Sequence, residues 1–150
     1  LVSGGFWSAY WYRGRIYGTE IVRGLDVLAL MPSEYLTANE IAAAALADQG
    51  DSFNPQQQFR VDWPAEPVVA RAYLDQLQRS AVLPGAFAAD LETTLDRAAL
   101  QLADGARDEN LAARLESLAA GLEDDRGDVV MNRRQFELAR TLGAIAVRLR

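Results

Sequence analysis

The feature that most constrains this chain is a change of hydrophobic period along it. From Phe6 to Leu30, FWSAYWYRGRIYGTEIVRGLDVLAL, aromatic and β-branched residues are broken by glycine, small and charged residues, the composition of strands and tight turns. From residue 67 onward, leucine and alanine return every three or four positions, the repeat of helices buried along one side. A chain of 150 residues, long enough to bury about two-thirds of its unfolded surface, must therefore hold both a sheet and a helical assembly.

The first segment reads as three antiparallel strands, roughly 7–12, 15–21 and 25–30, joined as a meander. Arg13-Gly14 forms the first turn, although Arg must then adopt a positive φ that Asn would tolerate better. Val22-Arg23-Gly24 forms the second. Thirty residues cannot cover two faces and two edges from within, and both faces look apolar, so neighbours are expected above and below. Six of the thirteen aromatics fall here: Phe6, Trp7, Tyr10, Trp11, Tyr12 and Tyr17. They could form a ligand platform, but rings on a covered sheet are core, which is the expectation for at least four of them. Arg13, Arg15, Glu20, Arg23 and Asp26 punctuate the same strands and are expected to form ion pairs at a sheet end.

Met31-Pro32-Ser33 closes the sheet. Thr37 followed by Glu40 is a capping box, in which each side chain satisfies a main-chain amide, and it starts a helix over about 38–48. A turn-rich connector follows with Gly50, Pro55, Pro64 and Pro67, and with Phe53, Phe59, Val61 and Trp63 as apolar anchors. Four helical stripes come next. Val69, Tyr73, Leu74 and Leu77 form the first, after Pro67. Phe87, Leu91, Leu95, Ala98 and Leu102 form the second, ending at Gly105, and Leu111, Leu115, Leu118 and Leu122 the third. The fourth is Phe136, Ala139, Leu142, Ile145 and Leu149, with Asn132 and Gln135 as a box-like start. The breaks between stripes are short, so successive helices are expected to be antiparallel neighbours in an up-down bundle.

Composition restricts chemistry sharply. All fifteen basic residues are Arg; Lys, His and Cys are absent. Thiol, imidazole and Schiff-base chemistry is thereby removed, with nearly every zinc, copper or haem site. The net charge of −6 argues against nucleic acid or an anionic membrane surface as partner. No apolar run approaches the length of a spanning helix, no signal-peptide pattern follows Leu1, and the chain is expected to be a processed part of a longer precursor. No phosphate-cradling glycine motif is present. Glu123-Asp124-Asp125-Arg126-Gly127-Asp128 could hold Ca²⁺ or present an adhesion tripeptide, but it lacks the alternating acidic spacing of a calcium loop and reads as a solvated turn.

Gly14, Ile16, Tyr17, Gly24, Leu25, Val27 and Leu28 resemble the G-x-I-Y and G-L-x-V-L strands of bacterial LVIVD-repeat proteins, exported β-propellers. The resemblance covers about the first 48 residues and implies three strands of a closing blade, since propellers often complete the last blade with a strand from the other end of the chain. Residues 67–149 resemble the helical FIMAH module of secreted bacterial proteins through ARAYLDQLQRSAVLPG, LESLAAGL and the final N-R-R-Q-F-E-L-A helix. Neither resemblance carries catalytic residues onto this chain.

The expected architecture is α+β: a three-stranded antiparallel sheet, a closing propeller-blade remnant over 1–31, a short helix and connector over 32–66, and an up-down four-helix bundle over 67–150. The expected function is non-catalytic assembly in an exported, extracytoplasmic protein. Phe6, Trp7, Tyr10, Trp11, Arg13, Arg15 and Tyr17 would bind the partner protein, with no catalytic, metal or cofactor residues. The alternatives are a subunit of a membrane-associated assembly and an extracytoplasmic hydrolase using Asp/Glu carboxylates.

Overall fold

A computed structural model describes residues 4–52, 54–57, 61–122 and 129–150. The chain divides into two compact units, Leu1–Pro64 and Ala65–Arg150.

In the first unit, β1 (Phe6–Tyr12), β2 (Arg15–Glu20) and β3 (Gly24–Leu28) form an antiparallel sheet in the order β1-β2-β3. This is the expected meander, with strand ends shifted by a residue or two. Arg13 (φ 46°) and Gly14 (φ 77°) make the first turn, both left-handed as a two-residue hairpin loop requires. The pairing shifts between Phe6 and Ser8, leaving Trp7 at a bulge. After the sheet, α1 (Ala38–Ala45) begins with the expected box: Thr37 Oγ1 accepts from the Glu40 N–H at 3.2 Å, and Glu40 Oε2 accepts from the Thr37 N–H at 2.7 Å. The helix is shorter than expected because the chain tightens at Leu46 and Ala47, then turns back so that Gln49, Gly50 and Asp51 bond to the first hairpin. A single 3₁₀ turn spans Pro55–Gln57. Phe53 and Phe59 lie outside the described residues; Val61 is half-buried and Trp63 exposed.

The second unit holds α2 (Pro67–Arg79), α3 (Gly85–Ala103), α4 (Glu109–Ala120) and α5 (Val129–Arg148). Each helix packs on the next, and α2 also packs on α5, so α2/α4 and α3/α5 are the diagonals of a four-helix bundle. Leu74, Leu77, Leu91, Leu95, Leu115 and Leu142 are among the side chains fully removed from solvent in a single core. Truncating any of them to Ala would cost about 2–5 kcal/mol. The start of α4 is fixed by Asp108, whose Oδ1 accepts from the Leu111 N–H at 2.9 Å while its own N–H donates to Leu149 O at 2.8 Å. Arg148 donates to Ala65 O and pairs with Glu66 at 2.8 Å, tying the end of α5 to the start of α2.

Of the expected fourth stripe, Leu142, Ile145 and Leu149 are buried and Ala139 packs against the core, while Phe136 departs from it. Phe136 faces solvent, and Gln135, Leu138, Leu142, Ile145, Ala146 and Leu149 turn inward. Asn132 does not cap this helix, because helical structure is already present at Val129. Two stripes run along α5, and a buried glutamine marks the inner one.

Candidate functional site

Residues directly opposite one another in an antiparallel pair share a face. The register therefore sorts the sheet. Tyr10, Tyr12, Arg15, Tyr17, Leu25 and Val27 fall on one face, with Ser8 and Thr19 joined there by a 3.0 Å hydroxyl–hydroxyl hydrogen bond. Phe6, Trp11, Ile16, Glu20, Asp26 and Leu28 fall on the other. On that second face the Phe6 ring lies over Gly18: a Cβ added at Gly18 would sit 2.5 Å from Phe6 Cε1, so the glycine makes room for the aromatic.

The expectation that most of the aromatics are core is overturned within this chain. Trp7 is 77% exposed, Phe6 50% and Tyr10 39%, while Trp11, Tyr12 and Tyr17 are half-buried. The rings follow β preferences, but burial needs a covering layer, and a three-stranded meander supplies none of its own. Leu25, Val27 and Leu28 on β3 are exposed as well, and sequence reasoning left them out of the candidate surface. The alternation of Leu25 and Val27 against Asp26 and Leu28 is the signal that points to them, since both faces read as apolar.

Of the seven residues expected to meet a partner, Phe6 and Trp11 lie on one face, Tyr10, Arg15 and Tyr17 on the other, Trp7 at the bulge and Arg13 in the turn. The structure thus distributes them over two faces and one end of the sheet. Neither β1 nor β3 has a strand on its outer edge among the described residues.

Two polar clusters brace the ends. At the first hairpin, Gln49 Nε2 donates to Trp11 O at 3.0 Å and Gln49 Oε1 accepts from the Arg13 N–H at 3.1 Å. The Arg13 guanidinium pairs with Asp51 at 2.7 Å and stands 5.3 Å from the centre of the Tyr12 ring, whose hydroxyl donates to Gly50 O at 3.0 Å. At the second turn, buried Glu20 accepts from the N–H groups of Gly5, Val22 and Arg23 at 3.0, 2.8 and 2.6 Å. The Arg23 N–H does most to hold this carboxyl below its ordinary range, with Val22, Gly5 and the Arg23 charge acting in the same direction against the opposing effect of burial. Arg23 also pairs with Asp26 at 2.6 Å. The expected ion pairing at the sheet ends is thus present for Arg13, Glu20, Arg23 and Asp26. Arg15 bonds only to Gly14 O, at 3.5 Å, among the described residues.

A groove of about 440 Å³ opens between the first turn and α1, lined by Arg13, Gly14, Arg15, Leu30, Pro32 and the Ala38/Ile41/Ala42/Ala45 side of the helix. Its lining holds two arginines and no carboxylate. Among the described residues no three acidic side chains converge to hold a metal ion, and the acidic segment 123–128 lies outside them. No helix of the described residues is long and apolar enough to cross a membrane.

No family model, no curated protein and no solved structure matches this chain.

Proposed function

We propose that residues 6–28 form a docking surface and that the chain is a non-catalytic assembly region. The observation that carries this reading is the open sheet: exposed Phe6, Trp7 and Tyr10 lie on β1 and exposed Leu25, Val27 and Leu28 on β3, the two strands whose outer edges have no strand partner among the described residues. An exposed edge offers unpaired main-chain groups to an incoming strand, and neighbouring rings supply the apolar area that makes such pairing persist. The braces at Gln49 and Glu20 support the reading, because they hold both hairpin ends in place and lower the ordering cost of binding. The proposed setting is an exported bacterial propeller protein in which these strands belong to the closing blade, a setting that rests on the sequence resemblance of Gly14, Ile16, Tyr17, Gly24, Leu25, Val27 and Leu28.

A photoreactive phenylalanine analogue placed at Trp7 in the producing cell tests the proposal. The expected result is one discrete cross-linked polypeptide, lost when Trp11→Ala is added, with folding unchanged by circular dichroism. A folded protein that yields no adduct from Trp7 or from Tyr10 would refute it.

A further inference from the structure

The diagonal placement of α3 and α5 turns their outer faces to opposite sides of the bundle. On α5, Val129, Arg133, Phe136, Arg140, Ala144 and Val147 are all exposed and fall at helical spacing on one stripe. Phe136 is 64% exposed and Val147 66%. On α3 the outward stripe is Ala89, Thr93, Asp96, Leu100 and Ala103, followed by Asp104, with Leu100 67% exposed. One face is bulky and basic; the other is small-residued and acidic. The helices are 20 and 19 residues long, so the stripes match in length at about 1.5 Å per residue.

We propose that α5 of one copy of this chain packs antiparallel against α3 of a second copy. Setting Phe136 opposite Leu100 brings Arg140 opposite Asp96, Arg133 beside Ala103 and Asp104, and Val147 opposite Ala89. The parallel alignment through the same apolar pair sets Arg140 opposite Asp104 but Arg133 against Arg97, one attractive and one like-charge contact where the antiparallel alignment has two attractive ones. Arg140 already pairs with Glu137 at 2.8 Å and Asp96 with Arg71 at 2.5 Å, whereas Arg133 and Asp104 have no ion-pair partner among the described residues. The new charge pair is therefore Arg133 with Asp104. Because the two faces are different and diagonal, the contact is head-to-tail, and each copy added leaves a face for the next. The association does not involve the sheet.

Sedimentation of the full chain over a concentration series tests this. The expected result is mass that grows with concentration, and folded monomers for Phe136→Ser and for Leu100→Glu, both at exposed positions. Mixing those two variants is the decisive arm: the first keeps an intact α3 face and the second an intact α5 face, so together they form a capped pair of twice the monomer mass. Arg133→Glu and Asp104→Arg each weaken association about twofold to fivefold, and the double exchange restores it. Wild-type chain that stays monomeric, association that persists in both apolar variants, or a mixture that remains monomeric would each overturn the proposal. Trp7→Ala leaves the association unchanged, which keeps this test separate from that of the docking surface.

Discussion

Ala81 and Gly105 occupy the same place in two helix endings. Each is the left-handed residue after a helix C-cap, with φ of 53° and 64°. Each closes a Schellman motif: the N–H groups of Ala81 and Val82 donate to Gln78 O and Leu77 O at 2.9 and 3.1 Å, those of Gly105 and Ala106 to Leu102 O and Gln101 O at 3.2 and 2.9 Å. Only glycine adopts this conformation without a Cβ clash. Ala81→Gly is therefore expected to stabilise the helical unit by about 0.5–1 kcal/mol, and Gly105→Ala to destabilise it by about 1 kcal/mol. Denaturant unfolding followed by the helical far-UV signal measures both.

The first hairpin should depend on a side chain far from it in sequence. Gln49 replaces a missing strand neighbour by bonding to Trp11 O and the Arg13 N–H at once, and it helps hold Arg13 in a backbone conformation unfavourable to arginine. Gln49→Ala removes both bonds, at a cost of about 1–3 kcal/mol to the first unit. All three tryptophans, Trp7, Trp11 and Trp63, lie in that unit, so intrinsic fluorescence follows its unfolding separately from the helical signal. The expected result is a lower fluorescence midpoint with the helical transition unmoved.

What could be read from the residues divides along physical lines. The meander, the Thr37 box and the four helices were legible because turn chemistry, capping and period are local. The burial of the aromatics was not, because it depends on whether another layer covers the sheet. On α5, Phe136 and Leu138 both sit on plausible stripes, and the inner one contains Gln135, a residue that hydrophobicity alone steers outward. The Gln49 brace had no local signature at all: a glutamine in a turn-rich connector becomes informative only when the chain returns to the hairpin. Of the candidate surface, the strands and rings were legible, while its division into two faces required the register and the bulge at Trp7.

Acid should act on the first unit through Glu20. Its carboxylate, buried and accepting three main-chain N–H groups, has a pKa below the ordinary 4.5 in the folded state. A depressed folded pKa means that the unfolded chain takes up the proton first as pH falls. The stabilisation is therefore complete above the ordinary value, declines as pH drops below it, and is gone once pH has passed the folded pKa. Fluorescence-detected urea midpoints across that range should fall with acid in the wild type. In Glu20→Gln they should start lower and change less, because one side of the amide presents N–H donors to the N–H groups that the carboxylate accepts. A wild-type midpoint that stays flat would exclude this role for Glu20.

Gln135 offers the converse case, a polar group whose removal should help. It is 6% exposed on the inner stripe of α5, and its Oε1 has no hydrogen-bond donor among the described residues. Water lost on burial is then not replaced, a cost of about 1–3 kcal/mol for such an acceptor. Methionine matches the length and flexibility of glutamine and carries no strong acceptor, so it can fill the same space beside the inward-facing leucines. Gln135→Met is expected to raise the stability of the helical unit by about 1 kcal/mol, shifting the far-UV denaturant midpoint upward without changing the slope of the transition. A downward shift would mean that a buried water or another donor satisfies the amide, and that the glutamine is part of the bundle's internal hydrogen bonding.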